Sequence, residues 1–124
     1  MNEQFRFRTK ALAINTLKIY SSWKKSDEIY IIGKQLLRSC TSIAANYRAV
    51  GRARSEKERY AKMCIVVEEA DETLFWLELL GESDLVPLMT LERIYVEAEE
   101  ILKVMASYKS KLEHKLKVER ISHH

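Results

Sequence analysis

Residues 27–52 read DEIYIIGKQLLRSCTSIAANYRAVGR. Within them Ile29, Ile32, Leu36, Cys40, Ile43, Tyr47 and Val50 recur at steps of three and four. Such steps keep side chains on one side of a helix, whereas a strand would need strict alternation. The segment therefore predicts an amphipathic helix with one long apolar stripe. Gly33 lies inside it, where Gly costs about 1 kcal/mol relative to Ala, and so suggests close packing. Gly51 stands where the helix would end.

The same period extends on either side. Phe7, Ala11, Ile14, Leu17 and Tyr20 form a 3–4 row, predicting a helix over about 7–24 with that row as its core face. Lys24–Asp27 interrupts the pattern and supplies capping oxygens for the next helix, over about 27–52. Ser55 and Glu58 have the spacing of a capping box, opening a third helix over about 55–81 that ends at Gly81. Pro87 suits a first turn, where its missing N–H costs nothing. Leu88, Leu91, Tyr95, Ala98, Leu102 and Met105 follow, predicting a fourth helix over about 87–117, with 118–124 expected to fray. Four long helices with short connections predict an all-α, up-and-down antiparallel four-helix bundle, filling residues 1–124 as one domain.

Composition agrees. Only three Gly and one Pro occur in 124 residues, too few for the turns of an all-β fold. No apolar run approaches the roughly 20 residues needed to cross a bilayer, and Met1–Lys10 is polar and basic, unlike a signal peptide. A cytoplasmic chain is the expectation, with no membrane partner. Cys40 and Cys64 fall in apolar helical patterns and read as two reduced core thiols.

The net charge of +3 hides segregation. Residues 34–62 carry eight basic and two acidic groups, and residues 68–100 carry one basic and eleven acidic. On the second helix Lys34, Arg38, Arg48 and Arg52 fall within roughly 40° of one line, opposite the apolar stripe. Arg54 and Lys57 continue the basic run through the turn. Such a row suits a phosphate backbone. A solvated face, or pairing with acidic groups of a neighbouring subunit, accounts for it equally well. Membrane-surface binding would need exposed apolar residues beside the basic ones.

The third helix carries more apolar surface than one stripe requires. Met63, Cys64, Val67, Ala70, Leu74 and Leu77 share one side, while Ile65, Trp76 and Leu79 point away from it, with Phe75 at the edge. Glu68, Glu69 and Glu72 share that far side. A monomer is expected to expose Trp76, which suggests an oligomer interface of Ile65, Glu69, Glu72, Trp76 and Leu79. The alternative packs Trp76 and Leu79 under the second helix.

Enzyme signatures are missing. Neither GxxxxGK[ST] nor GxGxxG occurs, and the three histidines, His114, His123 and His124, lie near the C-terminus without Glu-x-x-His or HExxH spacing. No catalytic residue, metal site or cofactor is expected.

Two stretches carry a resemblance. Gln35–Asn46, QLLRSCTSIAAN, is similar to the Q-x-x-R-x-x-x-S-I-x-x-N signature of the four-helix bundle proteins, also called 23S ribosomal RNA intervening-sequence proteins. Glu69–Leu80, EADETLFWLELL, is similar to the third-helix segment of one branch. The resemblance covers about residues 5–115. It implies a bacterial, non-enzymatic bundle that assembles as a ring, usually a pentamer, and is related to the accessory variability determinant of diversity-generating retroelements, which binds a reverse transcriptase and nucleic acid. By position, Arg38 and Asn46 would be the signature polar residues, with structural roles at least in part. Many members continue as N-I-A-E-G, whereas here Ala49 replaces the Glu. Nucleic-acid binding (RNA or DNA) through the second-helix stripe is the expected function. A protein–protein adaptor or structural ring, its charges paired between subunits, is the alternative.

Overall fold

A computed structural model describes residues 2–122. Four helices follow one another: α1 (Glu3–Ser22), α2 (Asp27–Val50), α3 (Glu56–Glu82) and α4 (Leu88–Ser122). Each packs on its chain neighbours, and α4 closes back on α1. Cross-helix partners run in opposite directions, as in Lys115–Glu56 and Tyr95–Glu78 between α3 and α4. The antiparallel four-helix bundle expected from periodicity is therefore the fold.

Helix starts are set by polar caps. Asn2, Ser26 and Ser55 have extended backbones, and their side chains accept from the N–H groups of Gln4, Ile29 and Glu58. The capping box is half formed, because the Glu58 carboxylate accepts from Arg54 N at 3.4 Å.

The α2 stripe is the core as expected: Leu36, Cys40, Ile43, Tyr47 and Val50 are fully buried, Ile29 nearly so, and Ile32 packs at the edge. α3 adds Met63, Val66, Ala70, Leu74, Leu77 and Leu80, and α4 adds Leu91, Ile94, Ala98, Ile101 and Met105. Ser39 and Thr73 face each other across the α2–α3 seam, fully buried, with Thr73 Oγ1 2.8 Å from Ser39 Oγ. Each hydroxyl also reaches a carbonyl of its own helix, so no buried polar atom there is stranded.

α1 departs from its reading. It starts at Glu3 rather than near Phe7, and it buries Phe5, Thr9, Leu12, Ala13 and Thr16. Phe7, Ile14 and Leu17, expected in the core, face outward. Two of the five buried positions are threonines whose hydroxyls return to Arg6 O and Leu12 O. That internal bonding lets them bury as small apolar groups.

Gly33 meets its expectation of close packing: a Cβ there would lie 2.3 Å from the Tyr20 ring of α1. Gly81 does not end α3. It is buried inside the helix against Leu88, and the left-handed turn residue is Asp84, with φ 58°. Aspartate tolerates that region better than most residues with a Cβ. Residues 118–122, expected to fray, continue α4 to Ser122, while His123 and His124 lie outside the described residues. No described helix is long and apolar enough to cross a membrane.

Candidate nucleic-acid and subunit interfaces

The residues of the α2 basic row all lie on the surface. Lys34, Arg38, Arg48 and Arg52 are exposed, as are Arg54 and Lys57 beyond the helix end. The Lys34 ammonium sits 5.7 Å from the centre of the Tyr30 ring. Among the described residues, Lys34, Arg48, Arg52, Arg54 and Lys57 enter no ion pair, in contrast to Arg8, Arg38 and Arg59.

Arg38 is different from the rest of its row. Its guanidinium spans the α2–α3 seam, 3.0 Å from Glu69 and in contact with Glu72, and its Nε donates to Gln35 at 3.0 Å. Trp76 Nε1 donates to the same Glu72 at 3.1 Å. Burial works against the Glu72 charge, but Arg38 and the Trp76 N–H outweigh it and hold the carboxyl below its usual range. Two signature residues, Gln35 and Arg38, thus belong to one chain of hydrogen bonds with Glu69, Glu72 and Trp76. The other signature pair is local: Asn46 donates to Ser42 O and Oγ, both at 3.0 Å.

This network alters the reading of the α3 far side. Trp76, expected to be exposed, is half-buried against the core, and Leu79 is half-buried too. Glu69 and Glu72 turn toward Arg38 of their own chain. Ile65 is exposed, as is Phe75, whose ring meets the Trp76 ring edge-on at 4.9 Å. The exposed row of α3 runs instead through Glu68, Asp71, Phe75, Glu78 and Glu82. Its signal was the 3–4 spacing of the acidic residues themselves.

Outward α1 carries the opposite charge. Phe7, Ile14 and Leu17 share its exposed face with Lys10 and Lys18. Among the described residues the backbones of α1 and α3 do not approach each other as neighbouring helices do, so these two rows occupy diagonal corners of the bundle.

Alternating chain direction also sorts charge along the bundle axis. One end gathers the start of α1, the end of α2, the start of α3 and the end of α4. Arg6, Lys10, Arg48, Arg52, Lys57, Lys62, Lys111 and Lys117 lie toward it. Most carboxylates of α3 and α4 lie toward the other.

Burial pushes the Cys40 thiol up to about 11, so it stays protonated near neutrality. Cys64 is half-exposed, and both thiols are free. No group of three or more His, Cys, Asp or Glu side chains among the described residues is placed to hold a metal ion.

A family model described as 23S rRNA-intervening sequence protein matches residues 4–107. No curated protein is significantly similar to the chain. Among solved structures, a protein of unknown function from Bacteroides thetaiotaomicron, described as of the S23 ribosomal protein family, is 30% identical with a TM-score of 0.74. The alignment covers 84% of this chain and 96% of that one. The bundle, the Gln35–Asn46 signature at its α2–α3 seam and a match over most of its length make this chain a member of the 23S rRNA-intervening sequence protein family.

Proposed function

We propose that this protein is a non-enzymatic, self-associating bundle that binds nucleic acid, RNA or DNA, through the exposed basic row of α2 and the α2–α3 turn. The observation that carries the reading is the contrast between paired and unpaired cations. Arg38 is committed to Glu69 and Glu72, whereas Lys34, Arg48, Arg52, Arg54 and Lys57 have no acidic partner among the described residues. Exposed, unpaired cations along several helical turns gain most from releasing counterions on a phosphate backbone. Arg38 serves the fold first and drops out as a primary contact.

The test is polarisation binding of labelled RNA and DNA, single- and double-stranded, across salt. Binding is expected at about 50 mM salt, falling steeply as salt rises. Replacing Arg48, Arg52, Arg54 and Lys57 by Gln should weaken it at least about tenfold and reduce the log–log salt slope by about 3. Absence of binding to every probe at low salt would sink the proposal.

Self-association has its own support, in the exposed apolar and basic row of α1 and the exposed acidic row of α3 around Phe75. A ring, a pentamer by the family resemblance, needs two unlike patches per subunit. These two rows supply them, and a structural ring without nucleic acid is the reading that survives if no probe binds.

A further inference from the structure

A second group of basic side chains lies across the bundle from the α2 row. Where α1 begins and α4 runs past it, a cavity of about 350 Å³ opens, lined by Asn2, Tyr47, Lys103, Ser107, Tyr108 and Lys111 over an apolar floor. That volume is at the small end of ligand sites, about 300–1,000 Å³. Lys103, Ser107 and Lys111 stand four residues apart, so α4 presents all three on one face. Tyr47 belongs to the core stripe and faces away from Arg48 and Arg52, which separates this cavity from the α2 row.

The lining contains no carboxylate. Lys111 enters no ion pair among the described residues, and Lys103 has only a loose 3.9 Å contact with Glu99, both side chains being well exposed. Glu3, in the first turn of α1, is held by Arg6 at 2.9 Å. The Tyr47 hydroxyl donates to Asn2 O at 3.3 Å and accepts from Asn2 N at 3.2 Å, which pins the start of α1 to the wall of the cavity. Asn2 and Phe5 at the start of α1 thus line the cavity together with Lys103 and Lys111 of α4. Two cations and hydroxyl donors, with no lining anion, form an environment that favours a multiply charged oxyanion.

We propose that this cavity is a phosphate-binding site, with Lys103 and Lys111 supplying charge and Ser107 and Tyr108 supplying hydroxyl donors. The phosphate comes either from a nucleic-acid strand or from a free phosphate compound. The site stands independently of the α2 reading.

Thermal unfolding of the full chain in inorganic phosphate, against chloride at matched ionic strength, tests it. At about ten times Kd, phosphate is expected to raise Tm by about 3 °C or more. Lys103→Gln with Lys111→Gln should abolish the shift, and both side chains lie at the surface, so folding is preserved. Arg48→Gln with Arg52→Gln should keep the shift even if it loses nucleic acid, which separates the two proposals. Polarisation with a labelled oligonucleotide and a labelled nucleoside monophosphate identifies the source. Weakening of both by the Lys103/Lys111 variant supports a strand phosphate, and weakening of the mononucleotide alone supports a free compound. Equal Tm in phosphate and chloride, or an undiminished shift in the Lys103/Lys111 variant, overturns the site.

Discussion

Arg38 lies on the same helical line as Lys34, Arg48 and Arg52, yet it has another role. Its position next to α3 was not legible from helix 2 alone, because angular position on one helix does not say which neighbour the edge meets. The acidic partners were visible in Glu69 and Glu72, but periodicity placed them on a face thought to turn outward. The network makes a pH-dependent contribution to stability. Glu72 has a folded pKa below the usual glutamate value, so its contribution is complete above about pH 4.3 and is lost as pH falls through the lower folded value. Glu72→Gln keeps the shape and removes the charge. It is expected to lower stability by about 0.5–1 kcal/mol at neutral pH, the range of a partly exposed pair. The gap between its urea midpoint and that of the wild type should close below about pH 4. A gap that persists in acid would show that the pair contributes through packing alone.

At the scale of the helix, two glycines behave differently despite similar placement inside their elements. Gly33 lets α2 approach Tyr20, whose ring is held by the edge of Trp23 at 5.8 Å and by the Lys25 ammonium at 4.3 Å. Gly81 meets Leu88 Cδ2, the end of an exposed side chain that is free to swing away. Gly33→Ala is expected to destabilise by about 1–3 kcal/mol through overpacking, despite a helix-propensity gain of about 1 kcal/mol. Gly81→Ala should leave stability unchanged within about 0.5 kcal/mol or raise it. Urea unfolding of both variants checks the contrast, and equal effects would contradict it. The helices themselves were legible in order and number. The apolar stripe of α2 was legible, but the helix ends at Val50 rather than Arg52, and the buried Ser39, which meets Thr73 of α3, carried no apolar signal. The face of α1 was not legible, because Thr9 and Thr16 bury their methyl groups while Phe7, Ile14 and Leu17, greasier by type, stand in solvent. A pattern of residue types cannot rank a threonine satisfied by its own helix above an exposed leucine.

Across the whole molecule, α1 and α3 are not adjacent in the bundle, so their outward faces lie on different sides of it. One is apolar and basic, the other acidic around Phe75. Two unlike patches at diagonal corners suit a heterologous contact that repeats around a ring. Light scattering is expected to give a multiple of the 14.5 kDa chain mass. Phe7→Glu, which places an acid where an acidic neighbour would dock, should reduce it toward a single chain while helicity is retained, since Phe7 is 63% exposed. A single-chain mass for the wild type at every concentration would remove the ring. Segregation of charge was legible in the sequence as blocks, but its direction was not, because only the antiparallel order turns blocks into poles. The consequence concerns what happens before any contact forms. A polyanion drifting near this protein meets an oriented electric dipole, not a weakly cationic sphere. The resulting torque turns the body basic end first, so collisions arrive already aligned, and a net charge of +3 understates the pull on a passing strand.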